Sequence, residues 1–587
     1  MAVETIVQDN TTTARADENK IQPNLTASAA DSDAEYAPEK MPASADEAQE
    51  GVREVEAVTL TWTRTSLIVA FVCMWSLYLT NASQGSITNN LSPFITSGFE
   101  EHSLLTVIYI VSSSMAAAVY IPVAKIVDVW GRAEGFLLLV GLATLGLVLS
   151  AVTTNLTTYC AAQIFYTIGF SGMIYCVDVI TADSSSLKHR GLAFAFTASP
   201  YMISAFAGPK SAEAFYENIN WRWGYGCFAI ILPFVAAPLA ITLKYNLKRA
   251  RAFGVLVNEK KQRTFVQTVW YYIQEFDAAG VILLASGLVI FLLPFTLADS
   301  APSGWSTGYI IAMLVLGLVL LITFALHERF FARQPFVPFK MLTDRSVLAT
   351  LGLAATYQIS YYCWSSYFTS FLQVVTNLTI AQAGYVSSTF DVISGVLLIG
   401  VGFAISKTGY FKWLLWIAVP LYVFGQGLVI YFRQPGVKVG YIVMCQIFLS
   451  IGGSTMILCE QIAILAAVDH QQIAAALALL SMCGWIGGAI GSTISGAIWT
   501  NSFPQALSEF LPEDAQASLE DIYGSLDVQL GFEVGSATRL GIQRAYGVAQ
   551  ERMLIAGTAI MTLSLVCVFF IRNYNVGAMK QTKGMVF

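Results

Sequence analysis

Runs of about twenty apolar residues, separated by shorter polar connections, recur along nearly the whole chain. Each run is the length an α-helix needs to cross a bilayer core roughly 30 Å thick. The pattern predicts fourteen such helices, over 65–86, 104–124, 135–153, 157–180, 191–212, 224–243, 278–298, 308–326, 346–371, 381–405, 411–431, 440–464, 473–500 and 552–572. The expected fold class is an all-α integral membrane protein. A chain that commits most of its length to lipid-embedded helices moves or senses something across a membrane.

The polar residues between the helices orient them. With the N-terminus in the cytosol, the cytosolic connections hold Lys125, Arg132, Lys188, Arg190, seven Lys and Arg between 244 and 263, Arg329, Arg333, Lys340, Arg345, Lys407 and Lys412. The opposite connections hold only Lys210, Arg222, Arg433, Lys438, Arg539, Arg544 and Arg552. Such an excess of Lys and Arg marks the cytosolic face, so both termini are expected there. The basic stretch 244–277 reads as topogenic charge beside anionic lipid. The connection 501–551 is long, acidic and dotted with Tyr523, Phe532 and Tyr546. It reads either as a lid over the outer entrance or as a tolerated surface insertion.

An internal repeat divides the helices. Gln163-Ile-Phe-Tyr-Thr-Ile-Gly-Phe-Ser171 in the fourth span matches Gln446-Ile-Phe-Leu-Ser-Ile-Gly-Gly-Ser454 in the twelfth, with six identities in nine positions at one offset of 283. Setting aside the seventh and eighth spans as an insertion leaves two six-helix halves, the parallel repeat of many secondary transporters. The expected order is then a disordered acidic cytoplasmic tail (1–60), a six-helix bundle (61–243), a basic cytoplasmic loop (244–277) and two inserted spans (278–326). A second bundle (346–572) follows, with the long extracellular loop 501–551 inside it, and then a short cytoplasmic tail (573–587). The tail before the first span lacks the apolar core of a secretory signal.

Composition narrows the function classes. Charged residues make up 12% of the chain and hydrophobic ones 56%, about half the charge of a soluble domain. All nine cysteines fall inside predicted spans, where cysteine behaves as a small hydrophobe. The four histidines, His102, His189, His327 and His470, sit far apart in connections. Neither a disulfide framework nor a protein-held metal is expected, and no nucleic-acid partner. No nucleophile–base pair falls at one membrane depth, so the chain does not read as an enzyme. Asn155-Leu-Thr157 and Asn377-Leu-Thr379 are outward glycosylation sequons, a short pattern common by chance, and the glycine-rich run 484–496 has the spacing of close helix packing.

Between the second and third spans stands Lys125-Ile-Val-Asp-Val-Trp-Gly-Arg-Ala-Glu134. It resembles the D-R-x-G-R-R signature loop of the major facilitator superfamily, matching it at Asp128, Gly131 and Arg132 and departing at Val129 and Ala133. The resemblance implies that these three positions help lock the inward gate. Ala207-Gly-Pro-Lys210 in the fifth span half resembles a drug–proton antiporter motif, with Ser204, Ala212 and Glu213 where that motif has glycines. Gln163 stands where antiporters typically place a proton-coupling arginine. Trp221-Arg-Trp223, Glu328-Arg329, Arg333 and the prolines at 335 and 338 look like the fourteen-span branch of the superfamily. Over roughly 60–575 the chain resembles fungal siderophore–iron transporters within that branch. This implies two six-helix bundles plus two extra helices, and proton-coupled import of ferric hydroxamate chelates across a fungal plasma membrane, with endosomal cycling as an alternative residence. The iron would arrive wrapped in its chelator, so no cofactor is implied.

Ionisable groups inside spans cost about 2.5–3.5 kcal/mol at a helix centre, so they usually face a cavity. Asp178 in the fourth span and Glu460 at nearly the matching depth of the twelfth are the candidate proton carriers; the alternative is that both cap helices near the cytosolic ends. Tyr357, Tyr361, Trp364 and Phe368 recur at intervals of four, three and four, so they share one face of the ninth helix. Tyr and Trp pair a wide apolar surface with a polar edge, which suits a bulky chelate with carbonyl oxygens. Gln358 and Tyr362 adjoin that face. Trp75, Tyr78, Asn81 and Gln84 show similar spacing in the first span, and Gln163 and Gln446 complete the candidate substrate residues. The reading that competes with a cavity is interfacial or interhelical packing. Two other functions fit the same architecture: a proton antiporter exporting drugs or small peptides such as glutathione, and a non-transporting nutrient receptor.

Overall fold

The computed structural model describes residues 62–252, 264–332, 339–468 and 472–577. The expected tail 1–60, His470, Arg333, the two prolines at 335 and 338, and parts of the basic stretch and the last tail lie outside them. Among the described residues every regular element is helical. The long rods are α1 (Arg64–Ser97), α2 (His102–Trp130), α3 (Arg132–Val152), α4 (Leu156–Asp183), α5 (Arg190–Ile219), α6 (Trp223–Ala252) and α7 (Ala278–Leu297). They continue with α8 (Gly308–Phe330), α9 (Arg345–Ser365), α10 (Ile380–Thr408), α11 (Lys412–Phe432), α12 (Val439–Ala466), α13 (Ile473–Phe510) and α14 (Ala537–Phe570). Thirteen are long and apolar enough to cross a membrane. The exception is α9, whose 21 residues include Gln358, Ser360 and three tyrosines. Its polarity is turned inward rather than toward lipid.

Local chemistry sets the helix starts. Side chains of Thr63, Asn155, Asp344 and Ser536 accept from backbone N–H groups in the first turns of α1, α4, α9 and α14, satisfying donors a helix leaves open. A capping box between Thr379 and Gln382 begins α10. Both sequon asparagines hold such junctions: Asn155 is a cap, and Asn377 adopts φ 54° and accepts from Arg539 at 3.2 Å.

Several rods outrun their apolar cores. α1 extends to Ser97 because Ser92, Thr96 and Ser97 return their hydroxyls to carbonyls of the preceding turn, at 2.7–3.1 Å, so a polar stretch stays helical inside the bundle. The expected loop 244–277 is shorter than the sequence implies: α6 runs on to Ala252, and an amphipathic helix, Phe265–Glu275, fills much of the remainder. The expected loop 501–551 is largely helix as well. α13 continues to Phe510, α14 starts at Ala537 rather than 552, and two short helices, Leu519–Gly524 and Leu526–Gly531, lie between. Gln543, Arg544, Glu551 and Arg552 lower the hydropathy there without opposing helix formation.

α1–α6 pack among themselves, as do α9–α14. The repeat has a structural counterpart. A Cβ on Gly169 would stand 2.1 Å from Ala143 N of α3, and one on Gly452 would stand 2.7 Å from Ala418 O of α11. The two equivalent glycines thus let α4 and α12 close onto their preceding helices. The two sets meet along two seams, α2 with α13 and α5 with α10. α7 and α8 pack on each other and, through α7, along the α2–α13 seam. Only 11% of α8's apolar window is buried, leaving its Val315, Leu318 and Ile322 exposed.

Candidate functional site

Two of the helices at the interface between the sets are broken, and the breaks shape the site. α5 is interrupted at Ser199–Pro200, between Arg190–Ala198 and Tyr201–Ala214. α10 is interrupted at Ser388, between Ile380–Ser387 and Thr389–Thr408. Asp391 therefore sits in the first turn of a half-helix, whose dipole favours negative charge at that end.

Beside these breaks lies a cavity of about 290 Å³. Tyr78, Asp178 and Tyr201 reach it from the first set, and Asp391, Ser454 and Gln461 from the second. Tyr78 Oη donates to Asp178 Oδ1. Asn81 Nδ2 donates to Tyr201 Oη at 3.0 Å, and Trp75 Nε1 to Ser199 Oγ at 2.9 Å, fixing α1 to the α5 break. Among the described residues Asp391 accepts no side-chain bond, and it lines the cavity from the other side. Two carboxylates from opposite sets thus share one chamber.

A second chamber, of about 110 Å³, lies toward the end formed by the 511–536 connection, here termed the capped end. Its wall includes Tyr361, Tyr362 and Trp364 of α9, with Tyr109 and Gln446. The expected span 346–371 is interrupted at Ser366–Tyr367, so Phe368, also on this wall, begins a separate helix, Phe368–Thr376. Ring centroids 6.5, 5.5 and 5.5 Å apart link Tyr357, Tyr361, Trp364 and Phe368 into one ladder. Phe390 lines both chambers and so stands between them.

Not every expected residue joins these walls. Gln163 is buried and donates to Ser150 Oγ of α3 at 3.3 Å, whereas its repeat partner Gln446 lines the aromatic chamber. Glu460 is buried within the second set, with Oε1 unbonded, and Gln461 beside it reaches the cavity instead. Gln84 is fully buried and donates to Thr88 at 3.1 Å. Tyr357 packs edge-on to Tyr422, 5.4 Å away, and Gln358 lies beside Gly484 of α13.

At the opposite, basic end Gly131 takes φ 99° in the turn between α2 and α3, a conformation that suits glycine. Arg132 pairs with Asp128 and, at 3.3 Å, with Asp183 of α4, and also donates to Val127 O at 3.0 Å. Nothing in the motif itself pointed to Asp183.

Hydrogen bonds join the two sets at both ends. At the basic end Tyr175 Oη donates to Ala474 O at 2.6 Å, and His189 meets Ser406 at 3.2 Å. At the capped end Ala381 N donates to Glu213 Oε1 at 3.3 Å, and Tyr367 Oη to Ser103 O at 2.8 Å. His102, expected as a plain connecting residue, is buried there edge-on to Tyr367. The connection itself spans both sets: Leu526 N donates to Ser97 Oγ at 3.0 Å and Tyr216 Oη to Asp527 at 2.9 Å, while Gln529 O accepts from Arg539 of α14.

Asp391 was missed although its signal, an acid inside an apolar span, is the one that singled out Asp178. Tyr109 and Tyr201 carried no such signal, because a lone tyrosine in a helix is most often packing.

The model of the Major Facilitator Superfamily matches residues 66–492. The siderophore iron transporter mirB of Emericella nidulans is 58% identical over 540 residues, covering 92% of this chain and 89% of that protein. The MFS siderochrome iron transporter D of Aspergillus fumigatus is 54% identical, covering 92% and 90%. The MFS siderochrome iron transporter 1 of Gibberella zeae is 52% identical, covering 92% and 89%. Among solved structures, a peptide transporter POT in complex with sulfate aligns with TM-score 0.53 at 14% identity, over 88% of this chain and 99% of that one. A bacterial homologue of the lysosomal transporter Spinster aligns with TM-score 0.51 at 14% identity, over 87% and 99%. These two share the fold.

Proposed function

The chain belongs to the major facilitator superfamily, among relatives that are fungal siderophore–iron transporters, and from that premise we propose that it imports ferric hydroxamate siderophores in symport with protons. The observation that carries the reading is the pair of chambers between α1–α6 and α9–α14, one walled largely by rings and the other a mostly apolar space into which Asp178 and Asp391 project from opposite sets.

In this reading the basic end faces the cytosol of a fungal cell, both termini lie there, and the capped end faces outward from the plasma membrane. The ferric chelate enters from the capped side once the 511–536 connection and the Glu213–Ala381 contact release. Its apolar rim rests on Tyr361, Trp364 and Phe368, while tyrosine hydroxyls and Gln446 meet its oxygens. The iron stays within its chelate as cargo. Asp178 and Asp391 exchange protons as the two sets rock about the chambers and expose them to alternate sides. Arg132, held by Asp128 and Asp183, stiffens the inner ends of α2, α3 and α4, and the bonds that must part when the basic end opens are Tyr175 to Ala474 and His189 to Ser406.

The test is accumulation of radioiron chelates by an iron-starved, uptake-deficient yeast expressing the chain, across a panel of purified siderophores. The expected outcome is inward flux of at least one ferric hydroxamate, abolished by a protonophore and made insensitive to pH by Asp178→Asn. Absence of uptake with every chelate sinks the transport reading. Uptake that survives the protonophore, with an unaltered pH profile in the variant, removes the proton-coupling role.

A further inference from the structure

Behind the aromatic wall lies a charge that this mechanism leaves unused. Arg433, just past the end of α11, is fully buried. Its guanidinium carbon stands 4.4 Å from the Trp364 ring centre and 4.1 Å from that of Phe368, in the corner between two rings of the chamber wall. Nη1 donates to Gln550 Oε1 at 3.3 Å. Nε and Nη2 have no acceptor, and among the described residues Arg433 forms no ion pair. Three further buried donors are also unfilled: Nε2 of the same Gln550, Nε1 of Trp364 and Nε2 of Gln446, which shares the chamber wall.

A buried cation without a counter-charge is expensive, and ring faces return only part of the cost. Most open valences of this corner are donors. It is complementary to oxygen acceptors and hostile to a second cation. Asp178 and Asp391 line the other chamber, beyond Phe390, and Glu551, next to Gln550, is exposed and accepts from Gln434 at 3.4 Å.

We propose that Arg433 is a specificity-determining charge filter, which draws carbonyl and hydroxamate oxygens of a neutral or anionic ferric chelate to the Trp364–Phe368 wall and rejects chelates bearing a free ammonium group. The proposal rests on the siderophore reading of the chamber. Two like charges about 9 Å apart at an effective dielectric near 20 give a discrimination of about twentyfold.

The experiment uses the full chain in lipid nanodiscs and two probes with one iron-binding core. One is a linear ferric trihydroxamate ending in a free ammonium; the other is the same chelate with that amine acetylated. Binding is read as quenching of tryptophan fluorescence. The acetylated probe is expected to bind wild type about twentyfold more tightly. Arg433→Gln should bring the ratio close to one, and Arg433→Lys should keep most of it. Equal affinities in wild type, or a ratio unchanged by Arg433→Gln, overturn the filter and leave the siderophore reading standing. If neither probe binds wild type, the filter falls, while the siderophore reading stands or falls on the uptake panel. Should the Gln variant fail to fold, the wild-type ratio and the Lys variant decide: a ratio near one in either overturns the proposal.

Discussion

A tyrosine or tryptophan on a membrane helix is usually packing, and what distinguishes the α9 ladder is its position on the wall of an enclosed space. Replacing Tyr361 and Trp364 together with Leu removes ring faces and polar edges while keeping apolar bulk, so chelate affinity should fall by about tenfold or more. Equilibrium binding in nanodiscs checks this, and an unchanged Kd would take α9 out of the site. Residue-level reading singled out Tyr357, Tyr361 and Trp364 from their spacing on α9, whereas Phe368 joins them from the next helix, past a break at Ser366–Tyr367 that spacing does not show. It also found Asp178, since an acid in an apolar run is costly anywhere but a cavity or a pair. It could not separate Gln163 from Gln446. The two are equivalent in sequence, yet one turns to Ser150 and the other to the chamber, because rotation about a helix axis is set by neighbours. Glu460 and Gln461 differ by the same rotation.

At the level of whole helices, apolar runs located the rods but not their ends. Polar residues that bond within their own helix, as at the end of α1, extend it beyond any hydropathy boundary. The same blindness made 501–551 read as a loop. Helix contacts give a sharper prediction. Gly169→Val and Gly452→Val place atoms where backbone already stands, and each should cost about 3 kcal/mol. Gly427→Ala in α11, with open space at its Cβ, should be neutral or stabilising by about 0.5 kcal/mol. Thermal unfolding in detergent distinguishes these, and equal stability for all three variants would contradict the α3–α4 and α11–α12 packing. Arg132→Ala strands Asp128 and Asp183 together in a buried site and should destabilise by about 3 kcal/mol, read in the same assay.

Over the whole molecule, the repeat in sequence implies two equivalent sets of helices, and the capped end departs from such equivalence. The connection between α13 and α14 belongs to the second set yet bonds to Ser97 and Tyr216 of the first. Joining Ser97→Cys to Leu526→Cys under oxidising conditions should therefore arrest chelate uptake, with recovery on reduction; the native chain under the same treatment is the control, since it carries nine cysteines of its own. Undiminished uptake by the cross-linked chain would mean that this bridge need not part. A further asymmetry follows from α7 and α8. They lie against one seam between the sets and, among the described residues, leave the other, α5 with α10, without a covering helix. A splint on one flank alone turns a symmetric rocking motion into a hinge, so separation is greatest on the unsplinted side. When the capped end parts, the mouth should therefore gape along α5 and α10, and a wide chelate would slip in nearest that flank.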